Sequence, residues 1–150
     1  MIAAGRNKKG LTERQVEQCQ LAWKIICGGE TRVKLDTSEA HKNMSRTRFI
    51  EKECKVVLGA DVLPGENVVD VNSRMSLLAC LAHEFAHAER YLSGYDRPVK
   101  SPNFLIDEAE TSLHASFITV INKKDREDLR EDAYFRLTEY LKIRSNENEN

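Results

Sequence analysis

An α+β domain is the fold class this sequence predicts. Helical periodicity fills the first thirty residues and returns after residue 72. Between them, residues 48–71 are rich in Val, Ile and Phe and are broken by Gly59, Pro64 and Gly65. The order is therefore helix, strands, helices, rather than the strict alternation of a parallel α/β sheet. A chain of 150 residues with 41% hydrophobic content suits one domain around one core.

The elements follow in order. Residues 1–10 are polar and expected to be loose. "LTERQVEQCQLAWKIICGG" reads as a helix. Thr12 with Gln15 forms a capping box, Gly28-Gly29 a stop, and Val16, Cys19, Ala22/Trp23 and Ile26 an apolar stripe. "TRVKLD", residues 31–36, alternates as a short strand does, and 37–47 is a connection. Residues 48–71 supply two or three strands. The second helix starts near Asn72 or Ser73, either of which suits a cap, runs to about Leu92, and is ended by Gly94.

A loop over 94–103 leads to a third helix from about Phe104 to Asn122, with Ile106, Ala109, Leu113 and Phe117 as its apolar face. A fourth, from about Asp125 to Arg144, carries Leu129, Ala133, Leu137 and Leu141 at four-residue steps. The polar end, 145–150, is expected to be disordered.

Composition narrows the function classes. With 23 Lys+Arg against 24 Asp+Glu, the charge balance argues against a dedicated nucleic-acid binder. The longest apolar stretch, Met75 to Ala82, is too short to cross a bilayer, so no membrane role is expected. No apolar segment follows the basic residues of "MIAAGRNKKG", so no secretory signal is read and a cytoplasmic location is expected, with an effector secreted without a standard signal left open. Cys19, Cys27, Cys54 and Cys80 show no CxxC spacing and read as reduced thiols.

The chemistry sits in the second helix, where "HEFAH" matches H-E-x-x-H. Positions four apart share a helix face, so His83 and His87 can offer two imidazole nitrogens to one ion. Neutral imidazoles suit Zn²⁺, one ion per chain, and Glu84 stands beside them as a general base toward water. Burying these groups without an ion would be costly.

A third ligand is required. Arg90 and Ser93 occupy the Gly and third His positions of a metzincin, which excludes that class. The next helix offers Glu108 and Glu110, about 200° apart and thus unable to reach the same ion together. Helix periodicity places Glu110 nearer the greasiest face. Asp96 and Asp107 are lesser candidates, as an aspzincin would use.

"HEFAH", followed after 20 residues by Glu108 in "DEAETS", resembles the gluzincin arrangement of thermolysin-type peptidases, H-E-x-x-H and then N-E-x-x-S-D. That resemblance implies a minimal zincin-like domain, with Glu108 as third ligand and Glu110 as the alternative. It puts Ser112 where those enzymes carry an Asp that steadies a ligating histidine. "EAETSLHASF" and the short length also resemble the small ImmA/IrrE-like metallopeptidases, again mapping their first Glu to Glu108, with Ser112 and His114 replacing their Asn and Phe. The likeness covers roughly residues 73–121.

Around this core, Arg90, Tyr91, Tyr95, Arg97 and His114 are candidates for transition-state or substrate contacts, each with an ordinary structural reading beside it. Lys55 to Val62 is either a sheet edge offered to an extended substrate or a core strand. The leading expectation is a zinc metallopeptidase cleaving a protein or peptide substrate, such as a regulatory protein or repressor, with an activating or targeting partner to supply specificity. The rivals are a non-proteolytic binding module on the same scaffold and a zinc amidase.

Overall fold

Thr12 begins the first helix in the way its neighbours predict. Its hydroxyl accepts from the Gln15 amide while the Gln15 side chain accepts from the Thr12 amide, and α1 runs Glu13–Cys27. The computed structural model describes residues 5–66, 70–98, 100 and 102–149. Three short strands follow: β1 Lys34–Asp36, β2 Arg48–Ile50 and β3 Lys55–Val57. A 3-10 turn at Ala60–Val62 leads on to α2 Val71–Arg74, α3 Leu77–Leu92, α4 Asn103–Ala115 and α5 Lys123–Glu149. The fold class is α+β, as expected.

The sheet has the order β1-β3-β2, with β1 parallel and β2 antiparallel to β3. Lys55–Val57 is therefore the central strand, hydrogen-bonded on both sides. It offers no free edge, so Lys55–Val57 is a core strand, while the rest of the segment to Val62 leaves the sheet and ends in the 3-10 turn. Phe49 and Val56 are cross-strand partners, both buried, and Phe49 meets Tyr91 of α3 edge-on at 5.8 Å between centroids. On another side of α3, Trp23 of α1 meets Phe85 at 5.7 Å and 88°. So α3 lies between α1 and the sheet, and α4 and α5 cover it further.

Several elements depart from expectation. The second helix is two helices: Met75 breaks the chain at ψ 134°, and Ser76 caps α3 by accepting from the Ala79 amide. Gly94 ends α3 at φ +93°, a conformation only glycine adopts freely. The third helix stops at Ala115 rather than Asn122. The fourth extends past Arg144 to Glu149, so its end is helical where disorder was expected.

Within the expected loose start, residues 5–10 are tied down. The buried Arg6 guanidinium donates to the carbonyls of Asp61, Val62, Asn72 and Met75. Four guanidinium N–H bonds to four converging carbonyls make this a structural clamp. Residues 1–4 of that expectation, residues 67–69 of the strand expectation, and Asn150 of the tail lie outside the described residues. Two apolar stripes are also corrected. Leu113 and Phe117 of the third helix, and Leu137 and Leu141 of the fourth, are exposed. All four cysteines are free, and burial pushes the Cys80 thiol up to about 12. No helix among the described residues is long and apolar enough to cross a membrane.

Candidate functional site

Helix α3 is buried almost all round at its centre, from Leu81 to Ala88. His83, Glu84 and His87 lie within that stretch. The two imidazoles stand one turn apart, their ring centroids 4.7 Å from each other. Helix α4 packs against this face with polar rather than greasy residues: Asp107, Glu108, Thr111 and Ser112 are all buried. A polar face turned inward is sensible only if its groups are paired, and they are.

Glu108 closes the group. Its Oε2 lies 2.9 Å from His83 Nε2 and its Oε1 lies 3.1 Å from His87 Nε2. The ligand atoms of His83, His87 and Glu108 all fall within 4.8 Å of one another, so these three side chains could hold a metal ion. The chemistry of the set fits one. At zinc bond lengths of about 2.1 Å, tetrahedral ligand atoms sit about 3.4 Å apart. The two nitrogen–oxygen spacings, 2.9 and 3.1 Å, are shorter than this by about 0.3–0.5 Å.

The hydrogen bonds on the far sides of the rings fix which nitrogen faces the centre. Ser112 Oγ donates to Asp132 Oδ2 at 2.6 Å, so its oxygen accepts from His83 Nδ1 at 2.8 Å. Thr111 Oγ1 donates to the Asp107 carbonyl at 2.7 Å and in turn accepts from His87 Nδ1 at 3.3 Å. In both rings Nδ1 carries the proton and Nε2 is aimed at the centre. Without a metal, burial opposes charge on His83, but the Glu108 carboxylate outweighs it and draws the imidazole pKa upward. Burial would likewise raise the Glu108 carboxyl; the His83 and His87 contacts instead hold it far below the usual carboxylate range.

Two arginines bracket this carboxylate. Arg97 donates to Glu108 Oε1 at 3.2 Å and to Asp107 Oδ2 at 3.1 Å. Arg136 of α5 sits 3.6 Å from Glu108 Oε2 and donates to Asp132 Oδ2 at 2.8 Å. Glu84 of α3 is buried, and with His83 and Arg136 it lines a small cavity of about 20 Å³. That is room for one water.

The other expected site residues divide cleanly. Glu110 is exposed and pairs with Arg90 at 2.9 Å, away from the imidazoles. Periodicity places Glu110 nearer the greasiest face, but the buried face of α4 is the polar one. Arg90 also donates to Asp107 and lies 4.0 Å over the Tyr95 ring, so Arg90 and Tyr95 shore up the α3–α4 corner. Tyr91 packs on Phe49. His114, whose ordinary reading is a partly buried core histidine, is exposed and pairs with Glu89. Arg97 alone of these contacts reaches the ligand group.

Asp132 and Arg136, one turn apart on α5, were not singled out from the sequence. They stand one residue before Ala133 and Leu137 of the apolar stripe, where periodicity treats charges as a solvated face. Comparison with models of known families, with curated proteins and with solved structures finds no match for this chain.

Proposed function

We propose that the chain is a zinc-dependent peptidase in which His83, His87 and Glu108 hold the ion and Glu84 is the general base. The observation that carries this reading is the water-sized cavity lined by Glu84 and His83, beside three convergent ligand atoms. A site that merely held a structural ion has no use for a buried carboxylate next to space for a water.

The two-imidazole, one-carboxylate set suits zinc, and the bound ion would supply Lewis acidity to polarise a peptide carbonyl and acidify water. The chain's own residues do the rest. Glu84 accepts a proton as the water oxygen bonds to the carbonyl carbon. It returns that proton to the amine nitrogen as the C–N bond breaks. Asp132 through Ser112, and the Asp107 carbonyl through Thr111, keep the imidazoles turned inward. The proposed substrate is a peptide or protein, with a targeting partner adding specificity beyond what the domain itself reads.

One observation favours a second reading, a non-proteolytic binding module. His83, His87 and Glu108 are 3–4% exposed and bonded to each other, so the ligand group is shut to a polypeptide until something moves. Glu84→Gln separates the two. With zinc content measured on both proteins, the peptidase reading expects wild-type turnover of a mixed peptide library and about a hundredfold loss or more in Glu84→Gln at equal zinc. Equal turnover in both would end it.

A further inference from the structure

Resting on that reading, we propose that the groove between α2, the start of α4 and α5 is the substrate cleft of this site. Its occupant is a peptide segment bearing a bulky apolar or aromatic side chain, whose carbonyl meets the Arg136 guanidinium.

The groove encloses about 700 Å³, within the range of ligand-sized clefts. Its link to the centre is direct. Asn72 and Arg136 line both this groove and the 20 Å³ cavity that His83 and Glu84 share. Asp132, which holds His83 through Ser112, is a third groove wall. Arg136 is thus the partition between outside and inside, with one nitrogen 3.6 Å from Glu108 Oε2. A carbonyl that follows the Arg136 side chain inward arrives at the ligand group, and the cation is then placed to oppose charge growing on its oxygen. Neither imidazole nor Glu84 lines the groove itself; its link is the two shared walls, whereas the hollow of about 390 Å³ against Cys27, Glu89 and His114 shares no wall with the cavity of His83 and Glu84.

The lining names the side chain. Val71, Phe104, Leu105, Tyr134 and Phe135 give the groove an apolar floor. Tyr134 is 74% and Phe135 54% exposed, although rings of this size normally find cover. The rim carries both signs, Arg46 and Lys142 against Glu131 and Glu139, and so selects for no net charge.

The test uses zinc-loaded full-length protein with two chelating probes, acetohydroxamate and N-acetylphenylalanine hydroxamate. Burial of one phenyl ring in the groove is expected to make the second bind about tenfold tighter or more. Phe135→Ala and Tyr134→Ala should erase that gain and leave acetohydroxamate binding and zinc content unchanged. Phe117→Ala, an exposed ring elsewhere, should keep it. Equal affinity for the two probes, or a gain that survives both groove variants, overturns the groove and leaves the metal reading standing. A protein that takes up no zinc overturns both. A concentration-dependent dimer that Phe135→Ala dissociates, without probe discrimination, assigns the groove to self-association and also overturns the proposal.

Discussion

Replacing Ser112 with Ala tests the most unusual feature of the site. In the wild type a carboxylate on α5 reaches a histidine on α3 only through a hydroxyl on α4. The Asp132 oxygen can be no farther from His83 Nδ1 than those two bonds end to end, about 5 Å. At an effective dielectric of about 20, a full charge at that range is worth about 3 kcal/mol. Arg136, bonded to the same oxygen at 2.8 Å, cancels part of it. That charge acts through space and survives Ser112→Ala; what the variant removes is the hydrogen bond that orients His83, a loss of about 10–100-fold in zinc affinity, or about 1.4–2.7 kcal/mol.

Competition against a chromophoric chelator at fixed pH measures this. Asp132→Asn keeps the shape and an accepting oxygen and removes only the charge, so its loss should be the smaller of the two. Ser112→Asp, the gluzincin-like residue, places a second carboxylate beside a buried one. It should destabilise the fold by about 3–5 kcal/mol. Combining it with Asp132→Ser should recover most of that, because one carboxylate and one hydroxyl then share the space again. A Ser112→Ala protein that binds zinc within twofold of wild type would refute the reasoning, since His83 would then need no steadying.

Other outcomes follow from the same geometry. Glu108→Gln should abolish high-affinity zinc uptake in equilibrium dialysis, whereas Glu110→Gln should leave it within about twofold, because Glu110 faces Arg90 at the surface. In the metal-free protein, the raised His83 contributes stability below its ordinary pKa of 6.5 and loses it as pH rises through the higher folded value. The depressed Glu108 contributes stability above its ordinary 4.5 and loses it as pH falls toward the lower folded value. Thermal unfolding from about pH 2 to 9 should therefore fall away on both sides without zinc, and the alkaline fall should vanish with zinc, which takes the proton's place. Identical alkaline slopes would contradict this. Ser76→Ala removes both the α3 cap and a 2.8 Å bond to Asp125, so urea unfolding should show a loss of about 1–2 kcal/mol.

The sequence by itself determined the α+β order, the capping box of α1, and the one-turn pairing of His83 and His87 with Glu84 between. Each of these depends on neighbours within four residues, where chain geometry dictates who meets whom. Glu108 became legible only through a resemblance, because periodicity assumes that a helix turns its greasiest face inward. Helix α4 does the opposite: Leu113 faces out, as does Phe117 just past its end, while Asp107, Glu108, Thr111 and Ser112 face in. Only the tertiary structure decided that. Packing α4 against the imidazoles gives those polar groups partners, and paired polar groups can be buried where unpaired ones cannot. Asp132 and Arg136 belong to the same decision. They lie 49 and 53 residues beyond His83, and nothing local to α5 says that its charged turn lies under the site.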